Sequence, residues 1–492
     1  MYPVLKDCLV RGFGDDLFLQ RYVSGGAEIR LGDQLLADTL LMCTGGNSID
    51  EIVNNANTNT HKSDKIERSD LEVFLRTLED AGFVEFKSNA MSSPLWFPKL
   101  QNPQIYDIQI EGTRYCNLQC KHCFGSGYFT RSRDNDVSLQ IYKTLFRQME
   151  QLNVPNAFLS GGEFFTRKEA PEIIRELNKR RISIRGIFTN GTVWRQEIFD
   201  TLSDLNLAPL ILISLDGIGN IHDKIRGSGN YSKTIQFVKK VIGLGYKVNI
   251  NTVLNPYNLD QIMELAKLCD NMGVFRFRVA YPREQGGVAV DPSLLPPEGV
   301  YQVFKQLLRY FLDYKGDMKV QLSAMFKSEL LENGKYYLYR DSSGTCDYKR
   351  HSMAFHGDGS MSACPAALEF PLAKFPEISL KECWESDLMR AIKTIPVGKT
   401  ECKDCELRIY CGGGCRVMAF TKHGKFTGKD TNQCNFYRFF ADTFVPMLSE
   451  AGIEAVPLDE APQYRFNTDI IENAISTSLK QVNINKKAEQ TN

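Results

Sequence analysis

The chain has 492 residues, 43% of them hydrophobic, which is too long for one ordinary core and points to two to four domains. Its 59 basic and 59 acidic residues cancel, so the composition offers neither a nucleic-acid footprint nor a polybasic membrane patch. The opening MYPVLKDCLVRGFGDD lacks the apolar core of a signal peptide, and no apolar run reaches the roughly 18 residues of a membrane span. The expectation is a cytoplasmic protein with no membrane and no nucleic-acid partner. Of its 14 cysteines, three fall within 116–123 and eight between 346 and 434. In a reducing compartment such short-spaced clusters read as metal sites rather than disulfides.

Residues 1–90 form one compositional unit. DLFLQRYV and AEIRLG read as two strands around the turn Ser24-Gly25-Gly26. DQLLADTLLMCTGG reads as a helix ending in glycines, SIDEIVNNAN as a second helix capped by Ser48, and SDLEVFLRTLEDAG as a third capped by Ser69. A strand returns after Gly82. The whole predicts a small winged-helix-like unit. Residues 91–104, with Ser92, Ser93, Pro94, Pro98 and Pro103, read as a linker.

From 105 to 295 strands and helices alternate. YDIQIEGT, NAFLSGGE, ISIRGIFTNGT, PLILISLDG, YKVNINTVLN and FRFRVAYP read as strands. SLQIYKTLFRQMEQL (capped by Ser138), EAPEIIRELNKRR, SKTIQFVKKVIGLG and LDQIMELAKLCDNMG read as helices. Alternation predicts an α/β fold with a parallel sheet, and six β/α units fit, fewer than the eight of a closed barrel. Residues 296–345 read as a helical bridge, 346–445 as a Cys- and Gly-rich domain in which metal replaces part of a core, and 446–492 as an extension whose polar end, from about 477, is disordered.

Cys116, Cys120 and Cys123 stand in a C-x3-C-x2-C spacing just after the first of these strands, in a loop on the rim where barrels place their chemistry. Three thiolates leave one iron of a four-iron cubane without a protein ligand, an open position like that of catalytic metal sites. A zinc site or an ordinary loop are the alternatives. The spacing, followed by Gly161-Gly162-Glu163 after AFLS, Asn190 in FTNGT, Ser214 and Asp216 in ISLDG, and Arg226 in HDKIRG, resembles the radical S-adenosylmethionine (SAM) superfamily. The resemblance implies a [4Fe–4S] cluster whose free iron chelates SAM and whose electron releases a 5′-deoxyadenosyl radical. It places Gly161, Gly162 and Glu163 near the cofactor's amino group, Arg226 on its carboxylate, His122 near the adenine, and Asn190, Ser214 and Asp216 along the same rim. Phe164 stands where the family usually has proline.

A second register runs Cys346, Cys364, Cys402, Cys405, Cys411, Cys415 and Cys434. It resembles the SPASM domain, the auxiliary-cluster domain of radical enzymes that modify peptides and proteins; a zinc ribbon on Cys402, Cys405, Cys411 and Cys415 is the alternative. The resemblance implies two auxiliary [4Fe–4S] clusters. Cys402, Cys405, Cys411 and Cys434 would hold the second fully. Cys346, Cys364 and Cys415 would hold the first, with His351, His356, Cys383 or an open site as the fourth position. Cys8, Cys43, Cys269 and Cys383 also read as ordinary buried side chains.

Residues 1–90 resemble the precursor-recognition unit of peptide maturases, which takes a leader peptide as an added strand. The acidic balance of SDLEVFLRTLED argues against a DNA-binding winged helix. The resemblance therefore implies a maturase of a ribosomal, leader-bearing precursor, forming thioether bonds from cysteine sulfur to carbon, with flavodoxin or ferredoxin as external electron donor. Carbon–carbon or carbon–oxygen crosslinking is the nearest rival. Sulfatase maturation expects Asp where Pro365 stands. A non-catalytic iron–sulfur or zinc regulator is the rival of another class.

Overall fold

A computed structural model describes residues 1–6, 8–13, 16–21, 28–31, 34–58, 65–91, 105–123, 125–280, 297–314, 316–323, 335–342 and 351–457. The Ser24–Gly26 turn, most of the 91–104 linker, Cys346 and the tail from 477 lie outside the described residues.

Among the described residues the N-terminal unit holds five strands. β1 (Tyr2–Leu5) pairs antiparallel with β5 (Val84–Lys87), and β2 (Cys8–Phe13), β3 (Asp16–Arg21) and β4 (Glu28–Leu31) form a meander. The sequence reading missed β1 and β2. Pro3 disguises β1, because proline removes a ladder donor; β1 pairs as a strand with β5, and its other side carries only the isolated bridge Val4–Thr44. Three helices follow the meander: α1 (Gln34–Leu41), α2 (Ile49–Asn57) and α3 (Arg68–Asp80). Ser48 caps α2 in a full capping box, its Oγ accepting the Glu51 N–H while the Glu51 carboxylate accepts the Ser48 N–H. Ser69 does not cap α3: the helix starts one residue earlier, with Glu67 extended at the N-cap position. Leu71, Leu75 and Leu78 pack with Leu5, Leu19, Ile52 and Phe83 into a core distinct from the main one. Cys8 and Cys43 are buried in it as small apolar side chains. A buried hydrogen bond from Gln20 Nε2 to Asn156 Oδ1, 2.8 Å, ties this unit to the base of the second barrel strand.

The main sheet is built from β6 (Asp107–Glu111), β7 (Asn156–Ser160), β8 (Ser183–Thr189), β9 (Leu210–Ser214), β10 (Val248–Val253), β11 (Arg276–Ala280) and β12 (Lys319–Ser323), each parallel to the next in chain order. Between them run α4 (Leu139–Gln151), α5 (Ala170–Lys179), α6 (Gln196–Asp204), α7 (Asn220–Arg226), α8 (Asn230–Gly243), α9 (Ile262–Asn271) and α10 (Pro297–Asp313). This is the partial barrel expected, with one parallel strand more. β12 lies in the stretch read as helical; its short alternation, Val320 and Leu322 inward, is overshadowed by the 17-residue α10 before it. Ser138 precedes α4 in extended conformation, but its side chain makes no capping bond.

On the other edge, β14 (Ser352–Phe355), the strand after β13 (Lys335–Leu338), runs parallel to β6 and folds back into β15 (Ser360–Ser362) and β16 (Ala373–Lys374). The C-terminal segment thus grows directly from the barrel sheet. His356, just past β14, is held between Glu111 Oε1 (2.9 Å) and Ser362 Oγ (2.8 Å). β13 pairs with β17 (Glu454–Pro457), and Phe436, Phe440 and Phe444 pack into the main core beside Phe304 of α10. Among the described residues no helix is long and apolar enough to cross a membrane.

Candidate functional site: a thiol loop on the barrel rim

Strand pairing brings the C-terminal ends of the barrel strands level, with Glu111 beside Ser160, Thr189 beside Ile213 and Ser214 beside Asn251. The cysteine loop leaves β6 at this rim. Thr113 and the Arg114 amide are both anchored on Asp136, the latter at 2.7 Å. The Gly162 and Glu163 amides donate to the carbonyls of Thr113 and Tyr115, each at 2.9 Å, so the glycine loop lies flat against the start of the cysteine loop. Glycine is needed there: a Cβ on Gly161 would stand 2.5 Å from the Thr113 oxygen, and one on Gly162 2.4 Å from that of Tyr115.

Cys116, Cys120 and Cys123 are close enough to raise one another's pKa. Burial is the main cause, pushing the Cys116 thiol to about 12, with Glu163 adding to it. Burial also raises Cys120, although the Arg226 guanidinium, whose Nη1 lies 3.7 Å from its sulfur, opposes the rise. Unaided, such a trio stays protonated. Cationic iron is what makes buried thiolates favourable, so this donor set fits a cluster. Among the described residues no three His, Cys, Asp or Glu side chains converge as one ion requires. Cubane ligands each grip a different iron and stand further apart.

Glu163 is buried. Oε1 accepts from the Phe165 amide (3.0 Å) and Thr189 Oγ1 (2.9 Å), and Oε2 from the Asn190 amide (2.7 Å). Burial nevertheless outweighs these bonds and lifts its carboxyl to about 7. Asn190 donates to Asn117 Oδ1 at 2.9 Å and accepts from Thr192, while Asn117 donates to Thr192 Oγ1, locking the cysteine loop to the end of β8. Asn117 and Thr192 were not singled out from the sequence. Their signal was only their position, inside the C-x3-C and just after FTN.

Asp216 is the hub of the next strand end. Its carboxylate accepts from His122 Nε2 (2.8 Å), Arg226 Nε and the Val253 amide (2.8 Å), its own amide donates to His222 Nδ1 (3.2 Å), and its carbonyl accepts from Asn258 (2.9 Å). Burial opposes the charge on Asp216, but Arg226, His122 and the Val253 amide together outweigh it and hold the carboxyl well below the usual range. Arg226 is thus committed to Asp216 and Cys120, and His122 to Asp216. Ser214 sits half-buried at the end of β9. The rim therefore gathers Cys116, Cys120, Cys123, His122, Gly161, Gly162, Glu163, Asn190, Asp216 and Arg226 in one contiguous network.

In the C-terminal segment the Cys411 thiol is pushed up to about 12, first by burial and then by Cys402, Cys405 and Cys434, which places those four thiols together. The Cys415 amide donates to Asp430 Oδ2 at 2.9 Å, and the Cys364 carbonyl accepts from Ser362 Oγ at 2.9 Å. Cys346 lies outside the described residues. Of the residues considered for a fourth position, His356 has both ring nitrogens engaged, and Cys383 is buried in the main core with its thiol raised by burial to about 11.

The Radical SAM superfamily profile matches residues 110–269. The chain is 24% identical to the AdoMet-dependent heme synthase of Methanosarcina barkeri (65% of this chain, 93% of that one) and 23% identical to the PqqA peptide cyclase of Bradyrhizobium diazoefficiens (66% and 84%). It is 28% identical to the sporulation killing factor maturation protein SkfB of Bacillus subtilis over 34% of this chain and 40% of that one. Among solved structures, Streptococcus suis SuiB, known with S-adenosylmethionine and with its precursor peptide SuiA, shares the fold at a TM-score of 0.61, 18% identity, and 87% coverage of this chain against 99% and 98% of those chains. The superfamily match over residues 110–269 implies a [4Fe–4S] cluster and SAM. With the profile match, the cysteine loop and the glycine loop in agreement, this chain carries a radical SAM domain over residues 110–269.

Proposed function

We propose that the protein is a radical SAM maturase of a leader-bearing ribosomal peptide, closing thioether crosslinks from cysteine sulfur to carbon. Cys116, Cys120 and Cys123 would hold the SAM-binding cluster. When bound, cluster and SAM supply an electron and a 5′-deoxyadenosyl radical that takes a hydrogen from the substrate. The chain's own residues shape that event: Gly161 and Gly162 let the backbone approach closely, Glu163 and Asn190 fix the loops beside it, and Asp216 orients Arg226 and His122. The same rim excludes bulk water from the thiols, since each is mostly buried.

The observation that carries the peptide reading is the second thiol group. Cys402, Cys405, Cys411 and Cys434 gather in a segment that continues the barrel sheet, as an auxiliary-cluster domain requires. Cys346, Cys364 and Cys415 would hold a first auxiliary cluster with room for a substrate thiolate. Residues 1–90, with their own core, would take the leader as an added strand. SkfB, a maturation protein, and SuiB, solved with a precursor peptide, support this class of substrate. An external donor, flavodoxin or ferredoxin, and a cytoplasmic setting that keeps the thiols reduced belong to the same proposal.

A second reading is favoured by the longer alignment to PqqA peptide cyclase: a carbon–carbon crosslink made without cysteine. Co-expression with a cysteine-bearing candidate precursor peptide, followed by mass spectrometry, decides between them. Thioether formation predicts loss of two hydrogens per crosslink and cysteines that no longer alkylate. The same mass loss with every cysteine still alkylated overturns the thioether reading in favour of the second.

A further inference from the structure

Among the described residues, one buried arginine in the C-terminal segment forms no ion pair with a carboxylate. Arg416 follows Cys415 and opens the helix Arg416–His423, and it is only 2% exposed. Its guanidinium donates to the carbonyls of Phe426 (2.6 Å), Gly428 (2.9 Å) and Gly413, stapling the 426–428 loop onto the glycine turn between Cys411 and Cys415. Carbonyl dipoles satisfy donors but do not neutralise a full charge in a dry interior. Among the described residues no carboxylate forms an ion pair with Arg416. Asp430 bears on it electrostatically, but its Oδ2 accepts the Cys415 amide. Arg416 Nε is buried without a hydrogen-bond partner. Burial is the largest influence opposing its charge, and the groups that favour it are Cys402, Cys415, Asp430 and Cys411. The bond to Gly413 sets the cation beside the thiols, since Gly413 lies between Cys411 and Cys415 and its carbonyl is 3.9 Å from the Cys402 sulfur.

A four-iron cluster held by four thiolates is a net anion, and its potential follows nearby charge, hydrogen bonding and exposure. We propose that Arg416 is the built-in counter-ion of a cluster on Cys402, Cys405, Cys411 and Cys434, and that its fixed charge raises that cluster's reduction potential. This rests on the auxiliary-cluster reading above. The physical reason is simple. Reduction adds an electron to a group already negative, and a buried cation stabilises the reduced form more than the oxidised one. Arg416 is a positioning residue: it would act through the cluster held by the thiolates. Lys429 also bears on Cys402 and Cys434, but it is exposed, and water and salt screen its charge.

The test uses the full chain with Cys116, Cys120 and Cys123 replaced by Ala, so that remaining iron belongs to the C-terminal thiols. Arg416→Gln, Arg416→Lys and Lys429→Gln are compared by iron and sulfide content and by redox titration followed by electron paramagnetic resonance. The expected result is a midpoint shifted to lower potential in Arg416→Gln, with Arg416→Lys and Lys429→Gln near the parent. Iron lost in Arg416→Gln but retained in Arg416→Lys also supports the counter-ion role, because charge alone then decides loading. An unshifted midpoint in an iron-replete Arg416→Gln protein overturns it. So does equal iron loss in the Gln and Lys variants, which makes the residue a staple only. A parent bearing no iron overturns the auxiliary-cluster reading itself, and this inference with it.

Discussion

Glu163 makes the most quantitative test of the site. Its carboxyl is fully inside the protein, and burial lifts it from the ordinary 4.5 to about 7 despite three hydrogen bonds. The folded chain therefore holds this proton more tightly than the unfolded chain between those values. By linkage, the stability Glu163 contributes is fully present below about pH 4.5 and is lost as pH rises through 7. At about 1.4 kcal/mol per pH unit, the loss is on the order of 3 kcal/mol. His222 works in the opposite sense. Burial lowers it to about 4, so the stability linked to it is lost as pH falls below the ordinary 6.5 towards that value. Glu163→Gln isolates the first effect, because only one of the two proteins then titrates at that position. Urea denaturation of the metal-free chain, followed by tryptophan fluorescence, should show the parent losing on the order of 3 kcal/mol relative to the variant between pH 5 and pH 8. Parallel pH profiles for the two proteins refute the reasoning. They would mean that Glu163 is ionised throughout, with its hydrogen bonds outweighing burial.

Gly162→Ala forces a Cβ to within 2.4 Å of the Tyr115 carbonyl oxygen and 2.6 Å of its carbon, so the backbone entering the cysteine loop must move; anaerobic reconstitution should then load the N-terminal site poorly, as read by iron content of a protein lacking the C-terminal cysteines. Asp216→Ala leaves buried Arg226 and His122 without their shared partner and should lower stability by roughly 3–5 kcal/mol, read by thermal denaturation; a loss below about 1 kcal/mol contradicts the hub described above. Gly243, the last residue of α8, has open space around the position of a Cβ, so Gly243→Ala should stabilise the chain by about 0.5–1 kcal/mol in the same assay.

The parts of the site legible in the sequence are those carried by local signals. Cys116, Cys120 and Cys123, the Gly161-Gly162-Glu163 turn and the strand ends at Asn190 and Asp216 are fixed by spacing and by apolar runs, and the barrel followed from the same alternation. What escaped depends on distant segments meeting. The Asp216 hub draws on Val253, His222 and Asn258, which three separate elements supply. Asn117 and Thr192 are short polar residues whose bond with Asn190 appears only once two loops are adjacent. β12 was hidden behind a strong helical period, β1 behind a proline, and the start of α3 behind a serine that looks like a better cap than Glu67. Arg416 was invisible as a charge problem because only packing reveals that it is buried with its donors on backbone carbonyls and, among the described residues, in no ion pair.

The most direct measurement is the fate of SAM. Anaerobically reconstituted protein, given SAM and a strong reductant, should release 5′-deoxyadenosine, and replacement of Cys120 by Ala should abolish that release while leaving iron on the C-terminal thiols. Release that persists unchanged without Cys120, or none from a protein carrying its full iron even with its peptide present, contradicts the claim that the thiol loop on the barrel rim holds the cofactor-cleaving cluster.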